Sequence, residues 1–183
     1  MGTTLLASQL MYRGRAIGLR VDRMQLPDGQ TADWEVVEHP GSVAVVPVDS
    51  AGRIWFVRQY RHSVAQLVLE VPAGTLHPGE DPVECAAREL REEIGMAAGR
   101  MVELGGFFLA PGYSQEYMHI FLATGLSPSF LPMDPDESIE VEPIPAIEAL
   151  AMARDGRLRD SKSLASLFLA EPALRLPSQS GTS

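Results

Sequence analysis

Residues 74–96 read GTLHPGEDPVECAARELREEIGM and carry six carboxylates, Glu80, Asp81, Glu84, Glu89, Glu92 and Glu93, within 14 residues. Glu89, Glu92 and Glu93 stand at i, i+3 and i+4, a spacing that on a helix crowds three carboxylates onto one face. Like charges at that spacing destabilise a helix, and acids near its C-terminal end oppose the macrodipole. A local rule broken with no folding gain points to function. Hard divalent cations would relieve the repulsion, and Mg2+ shared between carboxylates and substrate phosphates suits the cluster best.

The cluster requires a helix to carry it. Asp81 reads as its N-cap, Pro82 as N1, Glu84 as the N3 member of a capping box, and Gly95 as a left-handed residue just past its end. Val83, Ala86, Ala87, Leu90 and Ile94 make the apolar stripe expected to face the core. Cys85 lies next to that stripe and reads as a small buried filler rather than a nucleophile.

Strands are expected over residues 5–12, 16–24, 34–39, 43–48, 54–59, 67–71, 101–109, 118–124 and 139–143, and further helices near 146–154 and 161–169. Residues 125–133 read as turn-rich. Strands first, then a loop and helix, then strands and late helices imply an α/β sandwich (α+β in order) with a mixed sheet packed between helices, not a regular Rossmann repeat. Residues 1–38 form an N-terminal strand unit that cannot stand alone and must pack on the main body or on a second subunit. Residues 39–171 are expected to form the main body, which carries the acidic cluster, and residues 172–183 a flexible tail.

Composition sets the remaining bounds. With 183 residues, 45% apolar and 21% charged, the chain has the make-up of an ordinary globular protein. Fifteen basic against 24 acidic residues give a formal charge of −9, which disfavours nucleic-acid binding but not a small phosphorylated substrate, because bound metal reverses the local charge. One cysteine permits no internal disulfide, and a cytoplasmic setting is expected. The N-terminus lacks a signal-peptide pattern and no apolar run reaches membrane-spanning length, so no membrane association is expected. His39, His62, His77 and His119 have no zinc-ligand spacing.

The central stretch resembles the signature box of the Nudix hydrolases, G-x5-E-x7-R-E-U-x-E-E-x-G-U, where U is a bulky aliphatic residue. Gly74, Glu80, Arg88, Glu89, Leu90, Glu92, Glu93 and Gly95 fall in register, and Met96 fills the last aliphatic position. Over roughly residues 10–170 the chain is similar to the ADP-ribose pyrophosphatase branch: QYR at 59–61, LEVPAG at 69–74, Pro111 placed 16 residues beyond Gly95, and DESIEV at 136–141. The loop APGYSQE departs slightly from the commoner SPG form of that branch.

The resemblance implies a homodimer with an exchanged N-terminal sheet, and Mg2+-dependent hydrolysis of ADP-ribose to AMP and ribose 5-phosphate, with Mn2+ as a substitute ion. It implies metal ligation by Glu89, Glu92 and Glu93 with the backbone carbonyl of Ala73, Glu93 being the ligand whose loss does most damage. Glu80 and Arg88 would pair and hold the loop on the helix, with Gly74 admitting a close backbone approach and Gly95 ending the helix. Glu137 would activate or position water, with Glu140 as its competitor. Arg61 would meet a phosphate, Glu70 the nucleoside or ribose side, and Glu116 the terminal ribose or a metal. Trp34 and Arg23 are candidates for the adenine pocket. The alternatives are a pyrophosphatase for another nucleoside-diphosphate sugar or a dinucleotide (GDP-mannose, NADH, FAD), and a catalytically silent nucleotide-sensing protein, which would be expected to have lost a box glutamate.

Overall fold

Residues 42–48, SVAVVPV, are apolar at successive positions, the pattern of a strand covered on both faces. In the computed structural model, which describes residues 2–132 and 138–174, this segment is the centre of the molecule. The described residues form strands β1 (Thr4–Arg13), β2 (Gly18–Gln25), β3 (Thr31–Glu38), β4 (Ser42–Val48), β5 (Arg53–Arg61), β6 (Gln66–Glu70) and β7 (Ala73–Thr75), then helix α1 (Pro82–Glu93). They continue through β8 (Met96–Phe108), β9 (Tyr117–Pro128) and β10 (Ile139–Pro145) to helices α2 (Ala146–Asp155) and α3 (Ser161–Leu174).

The main sheet runs β10-β5-β4-β9-β8, with β6 added on β5 and β7 on β4. β4 and β9 pair in parallel and the other neighbours antiparallel, so the sheet is mixed as expected. Alternation along β4 sorts the core into two layers. Val43 and Val45 face Cys85, Ala86, Leu90 and Ile94, while Ala44 and Val46 face Ala149, Leu167 and Ala170 of α2 and α3. The sheet is thus covered by α1 on one face and by α2 and α3 on the other.

Three local expectations change. β8 begins at Met96, directly after Gly95, and β9 continues to Pro128, so MAAGR and the turn-rich 125–128 are strand. Gly99 and Gly125 conceal this in sequence: they allow close approach of the two strands, since a Cβ on Gly99 would lie 3.2 Å from the Gly125 carbonyl. Residues 73–75, read as loop, are strand β7, held by pairing with the start of β4. α3 continues through Pro172, the expected start of the tail, to Leu174, with Ala170 and Leu174 buried beneath it.

α1 keeps its expected ends but turns differently. The Asp81 carboxylate accepts from the Val83 N–H at 2.9 Å, not from N3, and Glu84 is exposed rather than closing a capping box. Gly95 has φ +67°, the left-handed geometry that favours glycine at a helix end. Val83 and Ala87 are exposed, and Cys85 takes their place in the core at 0% exposure.

β1–β3 form a separate three-stranded antiparallel sheet. Its link to the body runs through β3, where the Val37 N–H donates to the Tyr113 carbonyl at 2.7 Å and the Gln115 N–H donates to the Val37 carbonyl at 3.2 Å. β1 is exposed along its length in the single chain, and nothing in it shows an exchange with a second copy. Among the described residues no helix is long and apolar enough to cross a membrane.

The rotated face of α1 is directly testable. Leu90→Ala should destabilise the fold by about 3 kcal/mol, and Val83→Ala by about 0.5 kcal/mol or less, in urea unfolding at neutral pH. Equal effects would return Val83 to the core.

Candidate active site

α1 leaves the β7 loop with its acidic face against the strand that precedes it. Glu89 is 7% and Glu93 5% exposed, so these are interior carboxylates and not a solvated helix face. Glu93 Oε2 accepts the Ala73 N–H at 3.1 Å. A Cβ on Gly74 would fall 1.7 Å from Glu89 Oε1, so any larger residue would displace that carboxylate from its place.

Arg88 is the counter-charge. Its Nη1 donates to Glu89 Oε1 at 2.6 Å and to Glu92 Oε2 at 2.9 Å. On its other side Nε and Nη2 take Glu80 at 2.9 and 3.1 Å, and Nη2 also donates to the Thr75 carbonyl at 3.3 Å. Repulsion among the helix acids is therefore relieved within the chain by a guanidinium, a solution that spacing alone did not suggest. Among the described residues no group of three or more His, Cys, Asp or Glu side chains converges to hold an ion as the side chains stand.

The same network sets the protonation states. The Arg88 hydrogen bonds, opposed by burial and aided by the His77 N–H, bring Glu80 down to about 2. Arg88 is raised, chiefly by Glu80. Burial pushes the Cys85 thiol up to about 12, the state of an inert core cysteine.

Beside this helix face lies a cavity of about 800 Å³ whose wall includes Arg61, Gly74, Glu89, Glu92, Glu116 and Lys162. Glu116 is fixed by the Ser42 hydroxyl, which donates to it at 2.8 Å. Arg61 is held by Glu70, which is 2% exposed and lies beneath the cavity wall rather than on it. Trp34 and Arg23 do not line the cavity of the single chain: Trp34 is half-exposed on β3, and Arg23 pairs with Asp33 at 2.9 Å. Glu137 lies outside the described residues, and Glu140 is the second residue of β10. Three charged lining residues escaped the sequence reading, Arg15 from the β1–β2 turn and Asp160 and Lys162 at the start of α3. For Lys162 a signal existed, because it is the only lysine in the chain.

Arg88→Met should leave three acids without their shared partner and lower stability by about 2–4 kcal/mol. The sign of the pH effect follows from Glu80. Its folded value lies below its ordinary 4.5, so its contribution is present above that pH and lost as pH falls through about 2. Acid unfolding monitored by circular dichroism should lose this component in Arg88→Met, and an unchanged profile would remove Glu80 from the account.

Comparison with known proteins agrees with this geometry. The family model of the NUDIX domain matches residues 38–167. The chain is 38% identical over 159 residues to the methanol dehydrogenase activator of Bacillus methanolicus, covering 86% of each. It is 36% identical over 160 residues to the ADP-ribose pyrophosphatase of Bacillus subtilis, again covering 86% of each. The crystal structure of an ADP compounds hydrolase shares the fold with a TM-score of 0.85 at 24% identity, over 96% of this chain and 95% of that one. Matched by the family model over most of its length and bearing the complete box on one strand–loop–helix unit, the chain belongs to the Nudix hydrolase superfamily.

Proposed function

We propose that this Nudix hydrolase cleaves the diphosphate of ADP-ribose to AMP and ribose 5-phosphate in a Mg2+-dependent reaction. The observation that carries this reading is a single cavity whose wall presents the Glu89 and Glu92 carboxylates together with the Arg61 guanidinium. Acidic oxygens suit a hard cation and a guanidinium suits a phosphate, so both halves of a metal–diphosphate substrate find complementary groups. The 36% identity to an ADP-ribose pyrophosphatase supports the choice of substrate.

The donor chemistry suits a divalent ion, although the carboxylates do not converge on one point as they stand. All its side-chain donors are carboxylate oxygens, and the Gly74 cradle holds the β7 backbone against Glu89. Glu89, Glu92 and Glu93 with the Ala73 carbonyl would hold Mg2+, or Mn2+ in its place. When bound there, the ion supplies charge neutralisation on the diphosphate and acidifies water. Arg61 binds and orients a phosphate. Glu116, kept in place by Ser42, faces the terminal ribose or a metal. Glu80 and Arg88 hold the loop to α1, and Gly95 ends the helix so that the chain can enter β8. Glu137 is the proposed base, with Glu140 its competitor.

The exposed apolar side chains of β1 (Leu5, Leu6, Leu10 and Met11, each 47–55% exposed) support a homodimer in which the N-terminal sheet meets a second copy. Trp34 and Arg23 would then serve the adenine pocket of the partner. A related reading is a pyrophosphatase for another nucleoside-diphosphate sugar or dinucleotide, because the cavity groups above read the diphosphate and not the base.

Product analysis with Mg2+ tests the proposal on ADP-ribose beside ADP-glucose, GDP-mannose, NADH and diadenosine polyphosphates. AMP and ribose 5-phosphate should form fastest from ADP-ribose, and Glu93→Gln should reduce kcat by about 100-fold or more. Preferred turnover of another panel member would overturn the substrate, and a fully active Glu93→Gln would overturn the carboxylate assignment. Chelation should abolish activity and added Mg2+ restore it; turnover that survives exhaustive chelation would exclude the metal role.

A further inference from the structure

Lys162 is the only lysine among fifteen basic residues, and it is 9% exposed. Lysine is almost never buried without partners. Its Nζ lies against Glu70 Oε2 in a short contact and 3.0 Å from Asp160 Oδ2. Glu70 also receives Arg61, Nε to Oε1 at 2.7 Å and Nη2 to Oε2 at 2.6 Å. Two cations far apart in sequence, one on β5 and one on α3, are thus gathered on one buried carboxylate. Burial tends to raise Glu70, but the Arg61 hydrogen bonds and the Lys162 charge outweigh it and keep the group below the usual carboxylate range, hence ionised.

Counting donors shows what the arrangement leaves available. A guanidinium has five N–H donors and an ammonium three. Arg61 uses two on Glu70; Lys162 uses one on Glu70 and stands in ion-pair contact with Asp160. Both residues nonetheless line the cavity that carries Glu89 and Glu92, whereas Glu70 does not. A buried ion pair serving the fold alone has no need to border that cavity, and an apolar pair would serve stability as well or better.

We propose that Lys162 is a second phosphate-contacting cation of this site, acting beside Arg61, and that Glu70 is a positioning residue that fixes both cations instead of touching the nucleoside. The assignment rests on the diphosphate-hydrolase reading above. The ligand it recognises is the anionic oxygens of a nucleoside diphosphate, whatever its base. Held on one carboxylate, the two cations meet that anion in a set geometry and without a search through rotamers.

The test uses the full chain with Mg2+ and ADP-ribose, comparing wild type, Lys162→Met, Glu70→Gln and the double variant. In the Glu70→Gln background, removing the lysine no longer orphans a carboxylate at position 70. Lys162→Met should therefore raise KM by about tenfold or more in both backgrounds, with a smaller change in kcat. A double variant with the KM of Glu70→Gln alone would overturn the proposal and leave the hydrolase reading standing. An inactive wild type would overturn both. Should the variants not fold, the wild type itself answers: reductive methylation of the sole lysine, read by peptide mass spectrometry, should be slowed several-fold by Mg2+ with α,β-methylene-ADP. Equal labelling with and without that diphosphate would count against contact.

Discussion

The close approach of α1 to β7 is the constraint from which the site follows. A helix with three acids near its C-terminal end is disfavoured by its own charges. It is held here because the β7 backbone presses against those acids: Gly74 clears space for Glu89, and the Ala73 N–H meets Glu93. β7 can do this only because it is pinned to β4 by pairing of Ser42, Val43 and Ala44 with Thr75, Gly74 and Ala73. Core strand, short edge strand and acidic helix therefore form one unit, and the positions of the carboxylates are set by sheet hydrogen bonds rather than by the helix.

Charge balance within that unit is divided between two networks. Arg88 joins Glu80, Glu89 and Glu92 on the helix side, and Glu70 joins Arg61 and Lys162 on the other. Each pairs buried or half-buried ionised groups, where an unpaired member would be costly. The cavity lies where both reach the surface. Its wall carries acids and bases close together without their collapsing onto one another, because each is already held by a partner.

Much of this was legible from residue types at fixed spacing. The box, its helix and the caps Asp81 and Gly95 are local features, and local rules place them within a residue. What was not legible depends on partners distant in sequence. Val83 and Ala87 look like core by period, but the pull of Glu89 and Glu93 toward β7 rotates α1 and brings Cys85 inward. β7 has three residues and no strand pattern of its own; only β4 makes it a strand. Glu70 and Arg61 were both singled out as ligand contacts, yet their mutual pairing requires the β5–β6 register, and Lys162 requires the packing of α3 on the sheet.

The placement of these groups separates two kinds of recognition. Every residue argued to meet phosphate or metal comes from the main body, on β5, β7, α1, α3 and, for Glu116, the loop between β8 and β9. Arg15 and Ala16, which also border the cavity, come from the turn of the small N-terminal sheet. That sheet is tied to the body at Val37, through the loop that carries Tyr113 and Gln115 and leads into Glu116. A change in the N-terminal strands can thus alter what lies beyond the diphosphate while the carboxylate and cation networks stay in place. Substitution in the β7–α1 unit cannot be so selective, because Gly74, Glu89 and Arg88 are built into the fold by the same contacts that place the carboxylate face. Divergence in substrate at constant chemistry is the behaviour such a division permits, since functions are set by sites carried on a shared fold.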